Sequence, residues 1–256
     1  MGSAVAFITR CLCLMGMLAV GNPSAHPQKA AENVMEAARP RDSSAAGQER
    51  TAELFSKMSV YHRWQADHLE RVSAVRTYEV HNEKGEVVAQ EVVLMEYQAP
   101  ATETFVRTSA TGSGLVRQRV FRQLMKDEQT RLRAKKDAEG LITPENYTFE
   151  LVALDRIGNS ECTVVHAIPK RKETDLFDGT IWIDTQDFAI VKITGHLAKN
   201  PSFWVKRVDF ERSYQKIDGF WVVSRETAVS AVRIFGRETL TVDYQNYAVN
   251  ESSAFR

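Results

Sequence analysis

Gly179-Thr-Ile-Trp-Ile-Asp184, Phe188-Ala-Ile-Val-Lys-Ile193, Phe203-Trp-Val-Lys-Arg-Val-Asp-Phe210, Phe220-Trp-Val-Val223 and Thr239-Leu-Thr-Val-Asp-Tyr244 follow one another in a single stretch from Gly179 to Tyr247. Each run is rich in β-branched and aromatic residues, which pack well on a pleated surface. Turn formers separate them: Thr185-Gln-Asp187, Asn200-Pro201, Asp218-Gly219 and Phe235-Gly236. Turn signals recurring about every eight to twelve residues mark a meandering antiparallel sheet.

The same pattern extends upstream. Arg71 to Val80 and Val87 to Tyr97 flank Asn82-Glu-Lys-Gly85, a hairpin signal. Glu103 to Ser109 reads as a third strand, and Tyr147 to Ile157 pairs with Glu161 to Pro169 across Gly158-Asn159. The total comes to about ten strands. Two segments break the pattern. Glu49 to Leu69 sets Leu54, Met58, Tyr61 and His68 at helical spacing, with Phe55, Trp64 and Leu69 beside them. Leu115 to Lys136 does the same with Val116, Val120, Phe121, Leu124, Met125 and Leu132 against a charged remainder. Both are amphipathic helices that must cover apolar surface. They stand before and within the strand series and do not alternate with strands. The expected class is therefore α+β: a strongly curved antiparallel sheet, an incomplete β-barrel, covered by two or more helices.

The 256 residues carry 33 Lys+Arg and 33 Asp+Glu, and this balance disfavours a nucleic-acid partner. Arg10 precedes an apolar run, Cys11 to Val20, too short to span a bilayer and followed by small residues. Residues 1–25 read as a secretory signal peptide, which places the mature chain in the periplasm without a transmembrane span. Residues 26–50, rich in Ala, Pro, Ser and charge, read as a flexible lead-in, and 51–250 as one domain. Only Cys162 remains after such cleavage, so no internal disulfide forms, and the thiol reads as a small buried hydrophobe.

Motifs for catalysis are missing. The chain has no His-Glu-x-x-His, no Cys-x-x-Cys, no Gly-x-Ser-x-Gly and no phosphate-binding loop, so neither a metal nor a cofactor is expected. The strand through Glu226 carries a small-polar stripe with Ser224, Ala228 and Ser230. Trp221, Val223 and Val229 occupy the opposite parity, so both faces of the strand are covered over part of its length. The aromatics Trp182, Trp204, Trp221, Phe203, Phe210 and Phe220 concentrate in the C-terminal half.

Trp182-Ile-Asp184, a short turn, Phe188-x-Ile-Val-Lys-Ile-x-Gly195 and Asp218-Gly-Phe-Trp221 resemble the second half of the outer-membrane lipoprotein-sorting proteins, the LolA/LolB/RseB-like superfamily. The signal segment, the early helix and the helix interrupting the sheet are similar too. The resemblance covers about Ala52 to Tyr247. It implies an incompletely closed antiparallel barrel with helices in its mouth. It also implies a carrier that holds lipoprotein acyl chains in an apolar cavity, or a relative that senses envelope stress or binds envelope material. On that basis Met95, Val120, Leu124, Trp182, Trp204, Phe210 and Trp221 are expected to line the cavity. A second reading is a module that docks an envelope protein by a sheet edge or helix face. A third, a hydrolase or isomerase, requires carboxylate or histidine side chains to converge inside, and ends if Glu226, Asp209 and His166 all lie outside.

Overall fold

The computed structural model describes residues 45–133, 142–200, 205–232 and 236–251. The signal segment, residues 26–44 of the lead-in, the end of the second helix at Lys136 and Trp204 lie outside these residues. Helix α1 spans Ala45–His68, and ten strands follow: β1 Arg71–His81, β2 Val87–Gln98, β3 Thr102–Gly112, β4 Tyr147–Ile157, β5 Ser160–Pro169, β6 Phe177–Asp184, β7 Ile190–Leu197, β8 Val205–Ile217, β9 Phe220–Val232 and β10 Gly236–Val249. Between β3 and β4 lies helix α2. It begins as Gly114–Val116, widens into a π-helical turn over Arg117–Phe121 and continues as Arg122–Arg133.

The strands form one antiparallel sheet in the order β3-β2-β1-β10-β9-β8-β7-β6-β5-β4. All neighbours but one are also consecutive in sequence, so short turns set most of the topology. At Asp218-Gly219 both residues adopt positive φ (49° and 87°), as a two-residue type I′ hairpin requires. The exception joins the first strand to the last, with Arg76 opposite Tyr244 and Val80 opposite Leu240. The sheet's free edges are therefore β3 and β4, the two strands that α2 connects. The expected class and strand number both hold: this is an open, curled, ten-stranded α+β half-barrel.

Close approach of strands and bulges together produce the curl. Gly179 and Gly195 sit opposite one another in β6 and β7. A Cβ on Gly179 would lie 2.1 Å from the Thr194 carbonyl oxygen, so only glycine permits this approach. The register slips between Ser73 and Val75 in β1, where Asn246 of β10 takes φ 52°. It slips again where Ser213 and Tyr214 face Arg225 and Val223. Bulges of this kind bend a strand and increase its twist.

Alternation divides the sheet into two faces. In β1 the buried set is Val72, Ala74, Arg76, Tyr78 and Val80, and in β2 it is Ala89, Glu91, Val93 and Met95. Register sets Ala74 against Met95 and Tyr78 against Glu91, so these sets share the inner, helix-covered face. Helix α1 starts four residues before the expected Glu49, and buries Thr51, Leu54, Phe55, Met58 and Gln65. His68 and Trp64, expected on its apolar side, differ from that reading. His68 is exposed and Trp64 is 39% exposed, its ring flat against Phe220 at 5.2 Å. The cause is phase: the buried stripe steps through Met58 to Gln65, which leaves Trp64 at its margin. In α2 the stripe is Val120, Phe121, Leu124 and Met125. Ser113 caps its start, its Oγ accepting from the Val116 N–H at 3.3 Å. Among the described residues no helix is long and apolar enough to cross a membrane.

Candidate functional site

The inner face has two halves. Under α1, aromatic rings meet in a chain. Phe55 of the helix stacks on Phe149 at 3.9 Å, Tyr147 lies 5.3 Å from Phe177, and Phe177 meets the edge of Phe210 at 5.4 Å. Ile181 and Ile193 are fully buried beside them. The Tyr147 hydroxyl accepts from the Phe177 N–H at 3.2 Å, and burial pushes its phenol up to about 12. At the far end of α1, Gln65 reads the hairpin backbone. Its Nε2 donates to the Trp221 carbonyl at 3.3 Å and its Oε1 accepts from the Trp221 N–H at 3.2 Å.

Under α2 the same face carries charge. Arg76 of β1 donates to both Glu128 oxygens, at 2.7 and 3.1 Å, and to Glu103 Oε1 at 3.3 Å. The Phe105 and Tyr244 rings sit 5.3 and 4.9 Å from its guanidinium, within cation–π range. Further along the sheet, Arg212 of β8 bonds Glu226 of β9, whose Oε1 also accepts from the Tyr244 hydroxyl at 3.2 Å. The side chains of Arg76, Glu103, Arg212 and Glu226 are each at most 5% exposed.

Burial alone would lower the Arg76 guanidinium. The charges of Glu128, Tyr244, Tyr78 and Glu103 outweigh it and hold the group well above its ordinary value. Burial raises Glu226 against the pull of Arg212. Burial and then the Glu128 charge push the Glu103 carboxyl well above the ordinary carboxylate range, which favours its protonated form. Burial also drives the Tyr78, Tyr244 and Tyr247 phenols upward, leaving them neutral. A cavity of about 10 Å³, the size of one water, lies among Val72, Arg76, Met95, Glu128, Val223, Tyr244 and Tyr247.

The residues expected to line a cavity are distributed unevenly. Met95 borders the small void, and Val120 and Leu124 are buried on the underside of α2. Phe210 belongs to the aromatic half. Trp221 is buried at the hairpin end, its indole N–H donating to Asp187 at 2.8 Å. Trp182 stands on the other face of the sheet, because Ile181 and Ile183 take the inner parity. Lys192 and Val164 flank it across the strands, and its indole N–H donates to Asp155 at 2.8 Å. The trio of the hydrolase reading is divided by the sheet. Glu226 faces inward, whereas His166 lies 3.2 Å from Asp178 and Asp209 bonds Arg207 at 2.6 Å, both on the outer face. The described residues hold no group of three or more side chains suited to a metal ion. Cys162 is buried and free, with burial raising its thiol to about 11.

Sequence reasoning passed over Arg76, Glu103, Glu128 and Arg212. One signal was available: Arg76 occupies a buried-phase position in Val72-x-Ala-x-Arg-x-Tyr-x-Val80. Nothing local marks Glu103 or Glu128 as its partners.

Residues 142–249 match the family described as Family of unknown function (DUF5686). No curated protein matches the chain. Among solved structures the chain is similar to a putative outer membrane lipoprotein-sorting protein domain from Vibrio parahaemolyticus, at 9% identity over 82% of this chain and 94% of that one, TM-score 0.38. It is similar to a LolA superfamily protein from Nitrosomonas europaea, at 10% identity over 77% and 94%, TM-score 0.35. It is also similar to a chain of the Pseudomonas aeruginosa MucA/MucB complex, at 10% identity over 78% and 99%, TM-score 0.28. Its structural neighbours are LolA-superfamily, lipoprotein-sorting and MucB proteins.

Proposed function

We propose that this chain is an exported, non-catalytic binding protein of the periplasm. It holds an apolar ligand, such as a lipoprotein acyl chain, between the curled sheet and α2. The observation that supports this reading is the separation of the sheet from its cover. The β1–β10 ladder joins the two ends of the strand series without α2, and Val120, Phe121, Leu124 and Met125 cover inner-face surface that α2 is not needed to hydrogen-bond. Among the described residues the void beside Glu128 of α2 is about 10 Å³, and on this reading the ligand enters by displacing the helix. Each acyl methylene that replaces helix side chains contributes about 0.8 kcal/mol before costs. The test is titration of the purified protein with the uncharged fluorescent probe N-phenyl-1-naphthylamine, followed by competition with a lipopeptide. Saturable binding that the lipopeptide displaces is expected. Failure of every apolar probe to bind would end the reading.

A second reading, docking of an envelope protein, is favoured by the sheet edge. Residues 106–112 of β3 are exposed along their whole length, on both faces. An unpaired strand edge accepts a further strand. Capture of a defined partner that survives Leu124→Ala but is lost on Val106→Pro would support this reading over the carrier.

A further inference from the structure

If α2 is the cover of a ligand site, its anchor to the sheet governs access, and that anchor is a carboxylate. We propose that Glu128 of α2 and Glu103 of β3 are alternative counter-ions of Arg76, so that lifting α2 to admit a ligand releases one proton. This proposal rests on the ligand-binding reading for the role of α2.

Two carboxyl groups bracket one guanidinium. Glu128 takes two of its N–H groups and leaves with the helix. Glu103 takes one, at 3.3 Å, and belongs to the sheet. The Glu103 side chain is wholly buried, and its Oε2 accepts from no donor. The other groups facing Glu103 do not supply a second charge of either sign. Tyr97 of β2 and Tyr78 of β1 are raised phenols, and Gln129 of α2 donates to the Glu103 backbone carbonyl at 2.8 Å.

The balance is simple. With α2 seated, Arg76 is paired with the Glu128 carboxylate, and Glu103 is a neutral acid. With α2 lifted, Glu128 carries its charge into water. Glu103 then gives its proton to solvent, and the resulting carboxylate becomes the partner of Arg76. The buried site stays neutral in both states, which avoids the large cost of an uncompensated interior charge. The seated state binds the proton more tightly. Seating is therefore strongest below the Glu103 value of the lifted state, and weakens by up to about tenfold per pH unit as the pH rises toward the raised value of the seated state.

Two measurements test this. Carboxyl-carbon NMR of the purified protein should show Glu103 titrating well above the ordinary carboxylate range, and in Glu128→Gln it should fall to that range or below. An ordinary value in the wild type, or no change in the variant, overturns the proposal. Calorimetry with N-phenyl-1-naphthylamine near pH 7, in buffers of differing ionisation enthalpy, should show about one proton released on binding to the wild type and none to Glu103→Gln. Equal release by both proteins also overturns it. If the probe fails to bind at all, the ligand reading falls, and the NMR titration still decides whether the counter-ion exchanges.

Discussion

The half of the inner face under α1 and the half under α2 share one sheet, one alternation and one degree of burial, yet they cohere by opposite means. Under α1, Phe55, Phe149, Tyr147, Phe177 and Phe210 pass contacts from ring to ring, and Ile181 and Ile193 fill the floor. Such packing is non-directional and tolerates small shifts. Under α2, Arg76, Glu103, Glu128, Arg212 and Glu226 hold fixed positions through directional bonds. A buried ion pair is often no more stabilising than apolar residues of similar volume, because both charges lose their hydration. The charged half is thus a poor device for stability and a good one for setting α2 in a single place.

The largest expected effect breaks this comparison or confirms it. Arg76→Ala leaves Glu128 without its partner in the interior and should cost about 3–5 kcal/mol in urea denaturation. The triple change Arg76→Met, Glu128→Leu, Glu103→Gln should recover most of that loss, because no lone charge remains. In the aromatic half, Ile181→Ala should cost about 2–5 kcal/mol, and no second substitution restores it short of refilling the volume. If the triple variant stays as unstable as Arg76→Ala, the two halves do not differ in kind.

Gln65→Ala comes next. It removes the two bonds Gln65 makes to the Trp221 peptide, whose N–H keeps the Tyr61 hydroxyl at 3.1 Å, and should cost about 1 kcal/mol, with faster amide exchange at the β8–β9 hairpin. Titration adds a pH signature to the charged half alone. The Glu103 value is raised in the fold, so its stabilisation is fully present below its unfolded value and is lost as the pH rises through the raised folded value. Glu103→Gln should flatten this alkaline loss in thermal melts. The smallest effect belongs to the surface. Arg156→Ala removes a pair with Glu161 in which both side chains are more than 60% exposed, and stability should change by less than about 0.5 kcal/mol.

Much of the architecture was legible in the residues. Asp218-Gly219, Gly158 and the Asn82 to Gly85 turn declared their hairpins, because few residues other than glycine accept the backbone angles involved. The two helices showed in the spacing of Leu54, Met58, Val120 and Leu124. The candidate site was far less visible. Trp182 lies between Ile181 and Ile183 in a strand apolar on both faces, so alternation could not say which parity faces the helices. In β9 the extra residue at Ser224 reverses the phase. Glu226 and Ala228 therefore point inward together with Val223, although in sequence these residues stand on opposite parities.

By itself the sequence determined the strands, their turns, the two amphipathic covers and hence the α+β half-barrel, because all of these follow from local backbone preference and periodic burial. Only the tertiary structure decided which end of the strand series meets which, which face the helices close, and which charges share a buried site. Arg76, Glu103 and Glu128 come from three separate elements, and their coupling arises only when β1, β3 and α2 exclude water from the space between them.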